Sequence, residues 1–356
     1  VIAILAGCLA LFGAATAQAA TTRIASPTGS GVTCNDVTPC TIGQAVLLSA
    51  DDDTVLLRPG PFTLPGGGLN ISTALTMRPQ TPGTRVELKS TAGDSIAVFD
   101  SAHLQDLLIN ISTLGAGGIA LITQGAPAII DRVAIIAEGS FAATGVLLKD
   151  GSNLLNSTVW VSSTSGDGVI GGGTGGTIRN STIIATGISS SGVHADGAYT
   201  VSGPQTVTVQ NSIVRSTTED LFAGGGTGPV VLNVDHSNYV SNSGTINDLG
   251  GHQTAAPLFA NAAAGDFHEL LGSPTIDAGA LVPGLSALDF DGGPRVVNSH
   301  PGCTALPDIG ADEFALDATP GTCISPSKQK CKKKKKKHHS AAAAKKKKCK
   351  KKKRRK

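Results

Sequence analysis

A short phrase returns along the middle of the chain at a nearly fixed interval. It reads Asn156-Ser157-Thr158-Val159, then Asn180-Ser181-Thr182-Ile183, then Asn211-Ser212-Ile213-Val214, with His236-Ser237-Asn238-Tyr239 as a fainter copy. The aligned serines lie 24, 31 and 25 residues apart, and Asp131-Arg132-Val133 and Gln105-Asp106-Leu107 extend the series backwards. A second series, Gly118-Ile119, Gly145-Val146, Gly168-Val169 and Gly192-Val193, keeps step at 27, 23 and 24. Two short apolar runs per period, separated by Gly, Ser, Thr and Asp turns, describe stacked coils. Each coil can bury its apolar side only against its neighbours.

The runs are short, rich in Val, Ile and Thr and bounded by Gly and Asn, which favours strands over helices. The expected fold class is all-β: a right-handed parallel β-helix solenoid of about nine coils over residues 34–265, capped at its N-terminal end by a short amphipathic helix at Cys40–Leu48. The recurrent asparagine suits a tight bend, because it tolerates positive φ and its amide can bond to the same amide one coil away. Asn70, Asn110, Asn156 and Asn180 also stand in Asn-x-Ser/Thr sequons, and coil chemistry is the expectation for them rather than glycan attachment.

An aromatic content of 3% suits a narrow interior filled by stacked aliphatics. The net charge of +3 conceals a division: Lys328–Lys356 holds 19 Lys and Arg and no acid, so the rest has 29 − 19 = 10 basic residues against 26 acidic ones, a formal −16. Residues 317–356 cannot build a core and are expected to be a disordered basic tail. Lys332, Lys337, Lys345, Lys348, Arg354 and Arg355 mark its polyanion-binding runs. Anionic envelope polymers are the expected partner; nucleic acid is not, since the runs lack interleaved aromatics.

Residues 1–19 read as an export signal whose start is truncated: an uncharged apolar run, then Ala17-Gln18-Ala19 as a cleavage site. The protein is therefore expected to be secreted or cell-surface, monomeric, and without a membrane span in its mature form. Leu5-Ala6-Gly7-Cys8 leaves a lipoprotein signal open. Beyond the signal six cysteines remain, an even number for an oxidising compartment. Cys34 and Cys40 are close enough to staple the start of the body, while Cys303 and Cys323 bracket its end.

Two sets of motifs carry a resemblance. Cys40-Thr41-Ile42-Gly43-Gln44-Ala45, followed by Asp53-Thr54-Val55-Leu56-Leu57-Arg58-Pro59-Gly60-Pro61-Phe62, resembles the Cys-Ser-Leu-Arg-Glu-Ala opening of bacterial secreted β-helix proteins, with Gly43-Gln44 in place of Arg-Glu. At the other end stand Gly272-Ser273-Pro274-Thr275-Ile276-Asp277-Ala278-Gly279, Asp289-Phe290-Asp291-Gly292-Gly293-Pro294-Arg295 and Asp308-Ile309-Gly310-Ala311-Asp312-Glu313-Phe314. In that order they resemble the choice-of-anchor Q domain, which makes residues 266–316 a C-terminal cap. The resemblance implies a pectin-lyase-like fold on an exported protein. It does not imply an enzyme, because this fold hosts lyases, hydrolases, adhesins and spacers alike.

Lyases of this kind need carboxylates clustered for Ca²⁺ with a poised base, and glycosidases need paired acids. The catalytic candidates are Asp167, Asp196 and Asp220; the first two precede glycines, where an Asx turn is the ordinary role. Asp289 and Asp291 are the metal candidates, with a turn paired to Arg295 as the other reading; no cofactor is expected, Ca²⁺ being the alternative. Strand alternation sets Trp160 outward, and matching the serines puts Arg215 in its column, a platform for an acidic sugar. A loop such as residues 171–176 covering Trp160 is the competing reading. The expected function is an envelope-associated scaffold or adhesin that binds glycans, with a polysaccharide lyase or glycoside hydrolase as the alternative.

Overall fold

The structure, a computed structural model, describes residues 19–199, 203–298 and 305–315. Residues 1–18 of the expected export signal (1–19), Cys303, Cys323 and residues 317–356, the expected basic tail, lie outside the described residues.

The chain winds into a parallel β-helix of three sheets with ten, seven and eight strands. Seven coils carry a strand in all three sheets, beginning with Thr54–Leu57, Phe62–Thr63 and Leu69–Ile71 and ending with Gln205–Gln210, Ile213–Ser216 and Glu219–Gly226. An eighth coil has Val230–Asp235 and Asn242–Gly244, with Asn238 bridging to Ile213 where the second-sheet strand would lie. The solenoid is therefore about one coil shorter than the sequence spacing suggested. Its first strand, Thr22–Ala25, pairs with Thr54–Leu57 ahead of the expected start at residue 34. The intervening segment forms the expected cap: Cys34 and Cys40 are disulfide-bonded, and helix Ile42–Leu47 begins at Thr41, whose hydroxyl accepts from the Gln44 N–H. Ile42, Ala45 and Val46 are buried on the open apolar end of the first coil. Among the described residues no helix is long and apolar enough to cross a membrane.

Stacking in register makes aliphatic columns. In the second sheet Leu88, Ile109, Ile135, Val159, Ile183 and Val214 stand one above another, all buried. In the first sheet Val55, Met77, Leu104, Ile130, Leu154, Ile178, Val209 and Val234 do the same. Each such side chain contributes roughly 1.5–3 kcal/mol by leaving water. The narrow bore explains why aliphatics rather than aromatics fill it.

The repeating phrase has a division of labour that its text does not show. Asp106, Arg132, Asn156, Asn180, Asn211 and His236 form the corner from the first sheet to the second, all in the left-handed region with φ between 40° and 55°. Asparagine fits there because its short polar side chain tolerates that conformation. The expected ladder of amides is instead a ladder of hydroxyls. The serine after each corner points inward: Oγ of Ser157, Ser181, Ser212 and Ser237 accepts, respectively, from the N–H of Val133, Ser157, Ser181 and Ser212 one coil back, at 3.0–3.2 Å. Each hydroxyl donates in turn to the carbonyl two residues before it. Backbone N–H groups that the turn leaves unpaired inside the coil are thereby satisfied.

The glycine series also shifts. Gly118 pairs with Ala143 and Leu121 with Val146, so Gly145 stands beside Ala120 and not Gly118. The true column is Ala120, Gly145, Gly168 and Gly192, placed by the pairings of Val146, Val169 and Val193.

Candidate functional site

The outward corner residues meet the C-terminal segment. The sequence suggested a cap over the solenoid end, but residues 258–298 and 305–315 run back along the flank. The hairpin Phe259–Asn261 with Asp266–Glu269 opens this strap. Asn211 brackets Ala280 by donating to its carbonyl at 2.8 Å and accepting its N–H at 2.9 Å. Further down, Arg179 donates to Gly284 O, Asn156 to Ser286 Oγ, and Arg85 to Phe290 O. The strap then turns back, with Thr182 Oγ1 accepting from Ala311 N and Asn211 O from Gly310 N. Asn156 and Asn180 are buried beneath it, which removes both as glycan acceptors.

Arg295 locks the strap. It is among the largest fully buried side chains and donates to the carbonyls of Gly310, Ala311 and Asp312 and to Asn156 Oδ1. Its acidic neighbour is Glu313 at 3.7 Å. Neither Asp289 nor Asp291 is its ion-pair partner, contrary to the sequence expectation. Asp289 instead accepts the N–H groups of Asp291 and Gly293, an Asx turn.

Around Arg295 the strap buries more acids than it pairs. Burial pushes the Glu269 carboxyl up to about 7 despite hydrogen bonds from Ser273 and Thr275. Burial likewise raises Asp308, Glu313 and Asp312. Each such acid holds its proton to higher pH in the folded strap than in the unfolded chain. Its stabilising contribution is complete below the unfolded carboxylate range, about 4, and is lost as pH rises through the folded value. His268 acts in the same direction in a higher window: its bond to Asp291 and then to Asp266 raises it to about 9, against desolvation, so its contribution fades as pH rises through that value. Half-exposed, it counts for less. We expect amide protection across residues 258–298 and 305–315 to fall between pH 5 and 9 while the coil strands stay protected. Hydrogen exchange at fixed salt reads this; a strap better protected at pH 9 than at pH 5 would contradict the assignment.

Beside the lock is a cavity of about 440 Å³. Its walls are the corner loop at residues 79–85, the corner residues Gln105, Asp106 and Arg132, and the strap turn at 288–292. Arg132 is neutralised by Asp106 at 2.7 and 3.1 Å and by Asp131 at 2.6 Å. Arg85 lies 3.7 Å over the Phe290 ring, and its Nε is buried without a hydrogen-bond partner among the described residues. Arg78 makes one long contact, to Pro79 O at 3.4 Å.

At the cavity rim, ligand atoms of His268, Asp291 and Asp312 lie within 4.8 Å of one another. His268 Nε2 is 2.7 Å from Asp291, and Nδ1 is 2.5 Å from Asp266. Of the two acids proposed for a metal, Asp291 belongs to this group and Asp289 is turned away into its loop. An imidazole among the donors suits a transition ion better than Ca²⁺, which takes oxygen ligands.

The other sequence candidates are dispersed. Asp220 is buried and accepts the N–H groups of Ser216, Val240 and Ser241 as well as Arg215, which makes it a turn residue. Asp196 accepts Ala198 N, as an Asx turn would. Asp167 accepts Ser191 N and lies 3.3 Å from His194 Nδ1. Burial would lower His194, but Asp167, Asp196 and the Gly224 carbonyl hold it above its usual value, and Phe222 packs on its ring. Trp160 does stand in register with Ile184 and Arg215. The platform is closed, however. A Cβ on Gly265 would come within 2.9 Å of the indole, so the strap covers Trp160, a role the sequence suggested for residues 171–176. Arg215 is held by Asp220, Asn238 and the Thr254 and Ala255 carbonyls. Arg78, Arg85 and His268 were not singled out, because only the strap makes them neighbours of Phe290 and Asp291.

No family model matches the chain, and no curated protein matches it in sequence. Among solved structures, the crystal structure of pectate lyase Pel9A is similar at 12% identity, over 82% of this chain and 96% of that one, with a TM-score of 0.36. The class of the protein is therefore the one its own strands define, a parallel β-solenoid with repeats. A likeness this distant says nothing about chemistry.

Proposed function

We propose that the protein is a secreted, cell-envelope-associated β-helix scaffold or adhesin that recognises anionic polymers without cleaving them. One observation carries the reading: of the acids nominated for catalysis Asp196 and Asp220 are hydrogen-bonded into turns and Asp167 is tied to Ser191 N and His194 in the next coil, while arginines with unused donors among the described residues face a cavity on the flank. The order of the C-terminal motifs and the basic tail support attachment to a surface. The test is incubation with polygalacturonate and alginate, with and without Ca²⁺, followed by sedimentation with cell-wall fragments across a salt series. Retention without turnover is expected. It should weaken towards molar salt and drop on truncation after Ser327, since the tail's attraction decays over a Debye length of ~8 Å at physiological ionic strength. Turnover abolished by Asp167→Ala would replace this reading with the lyase or hydrolase alternative. Salt-independent binding would remove the tail from it.

A further inference from the structure

We infer that the cavity between the second-coil corner loop and the strap turn is a binding site for a carboxylate-bearing pyranose, with Arg78 and Arg85 receiving the carboxylate. The inference rests on the anionic-polymer reading above and gives it a place, on the flank rather than at Trp160 and Arg215.

The local sequence builds the site. In the later coils the corner from the first to the second sheet is a tight left-handed turn, whereas the second coil spaces Thr76–Pro79 from Val86–Ser90 by residues 80–85. That longer loop stands off the flank, and the strap turn at Leu288–Gly292 closes the other side. The volume, about 440 Å³, lies in the usual range for small-ligand pockets and exceeds what an isolated ion needs.

Charge selects an anion. Arg132 is already neutralised by Asp106 and Asp131, and Asp291 faces His268 at 2.7 Å but Arg85 only at 4.0 Å. Arg78 and Arg85 are left with donors to give. The Arg85 guanidinium carbon lies 3.7 Å over the Phe290 ring and Nη2 donates to Phe290 O, so the group is already ordered before an acceptor arrives.

The remaining lining separates a sugar acid from a phosphate. Asp106 and Asp291 put carboxylate oxygens beside the arginines. They would repel a phosphate dianion more strongly than a singly charged carboxylate, and they can accept from sugar hydroxyls. Pro79, Pro82 and Leu288 supply an apolar wall for the C–H face of a pyranose, for which inorganic phosphate has no use. A ligand with one carboxylate, several hydroxyl donors and an apolar face matches every part of the lining.

Titration calorimetry of the full chain with trigalacturonate at 0.15 M salt tests this, with neutral galactotriose and inorganic phosphate as controls. Arg78→Ala removes a side chain whose one recorded bond is long, so its melting temperature should match the parent's. It should weaken binding about tenfold to a hundredfold, the worth of one charge-assisted hydrogen bond. Arg85→Lys keeps the charge but loses the fork, and should also weaken binding. The basic tail contributes equally to parent and variants and cancels. If the parent binds trigalacturonate and both variants bind as tightly, the cavity is not the site, while the anionic-polymer reading stands. Phosphate competing as well as the trisaccharide, or galactotriose binding equally, would overturn the ligand class. No binding of trigalacturonate by the parent overturns the inference, and sedimentation with cell-wall fragments then shows whether the wider reading falls too.

Discussion

Arg295→Ala should detach the strap while the coils stay folded. The guanidinium is fully buried and joins three strap carbonyls to Asn156 on the fifth coil, with Glu313 at 3.7 Å. Removing it leaves those carbonyls without a donor and takes the guanidinium from beside Glu313, at a cost of about 3–5 kcal/mol. The loss is local because the serine ladder and the aliphatic columns involve no strap residue. Hydrogen exchange should show residues 258–298 and 305–315 deprotected and the second-sheet strands unchanged, with Trp160 fluorescence red-shifted as Gly265 leaves the indole. Arg295→Lys should rescue the charge but not the set of bonds. Loss of protection throughout the coils would mean that the strap is needed to fold the solenoid. An unaltered strap would mean that the buried arginine is not its lock.

Gly168→Ala should act on the coils themselves. A Cβ there would sit 2.3 Å from Ile183 Cγ2 and 2.5 Å from the carbonyl oxygen of Gly192 in the next coil. Gly145 and Gly192 are as crowded, by Val159 and the Gly168 carbonyl and by Val214 and the Asp220 carbonyl. A side chain can rotate away, but a backbone carbonyl in a stacked sheet cannot move without shifting the coil above. The expected destabilisation is at the upper end of the about 1–3 kcal/mol seen for overpacked cores. Ala120, in the same column, is already an alanine, so Ala120→Gly should cost no more than about 1 kcal/mol from chain entropy. Chemical denaturation of the pair gives the answer: equal midpoints for Gly168→Ala and the parent would refute the packing account.

How far the sequence could be read depended on where the information lay. Period and alternation state which side of each strand faces inward, and the outward Trp160 between buried Val159 and Val161 followed from them. The positive-φ corner was also legible, since a recurrent Asn between apolar runs has few other uses. The ladder's chemistry was not. Asn and Ser are adjacent in the phrase, and only the coil geometry decides which of them points inward. The glycine column was read two residues off at Gly118, because a regular spacing in text does not reveal the stagger between strands.

The candidate site was legible only in fragments. Asp289-Phe290-Asp291 was visible as a motif, but Arg78 and Arg85 carried no signal of their own and stand about 200 positions away in the chain. By itself the sequence determined the coils, the sheet faces, the Cys34–Cys40 staple and the acidic body with its basic tail. The tertiary structure decided that the C-terminal segment runs along the flank, that it covers Trp160, and that it closes a cavity with Arg85. The physical reason is range. Coil stacking is specified by neighbours one period away, whereas the strap is placed by single long-range bonds from Asn156, Arg179 and Asn211 that leave no periodic trace.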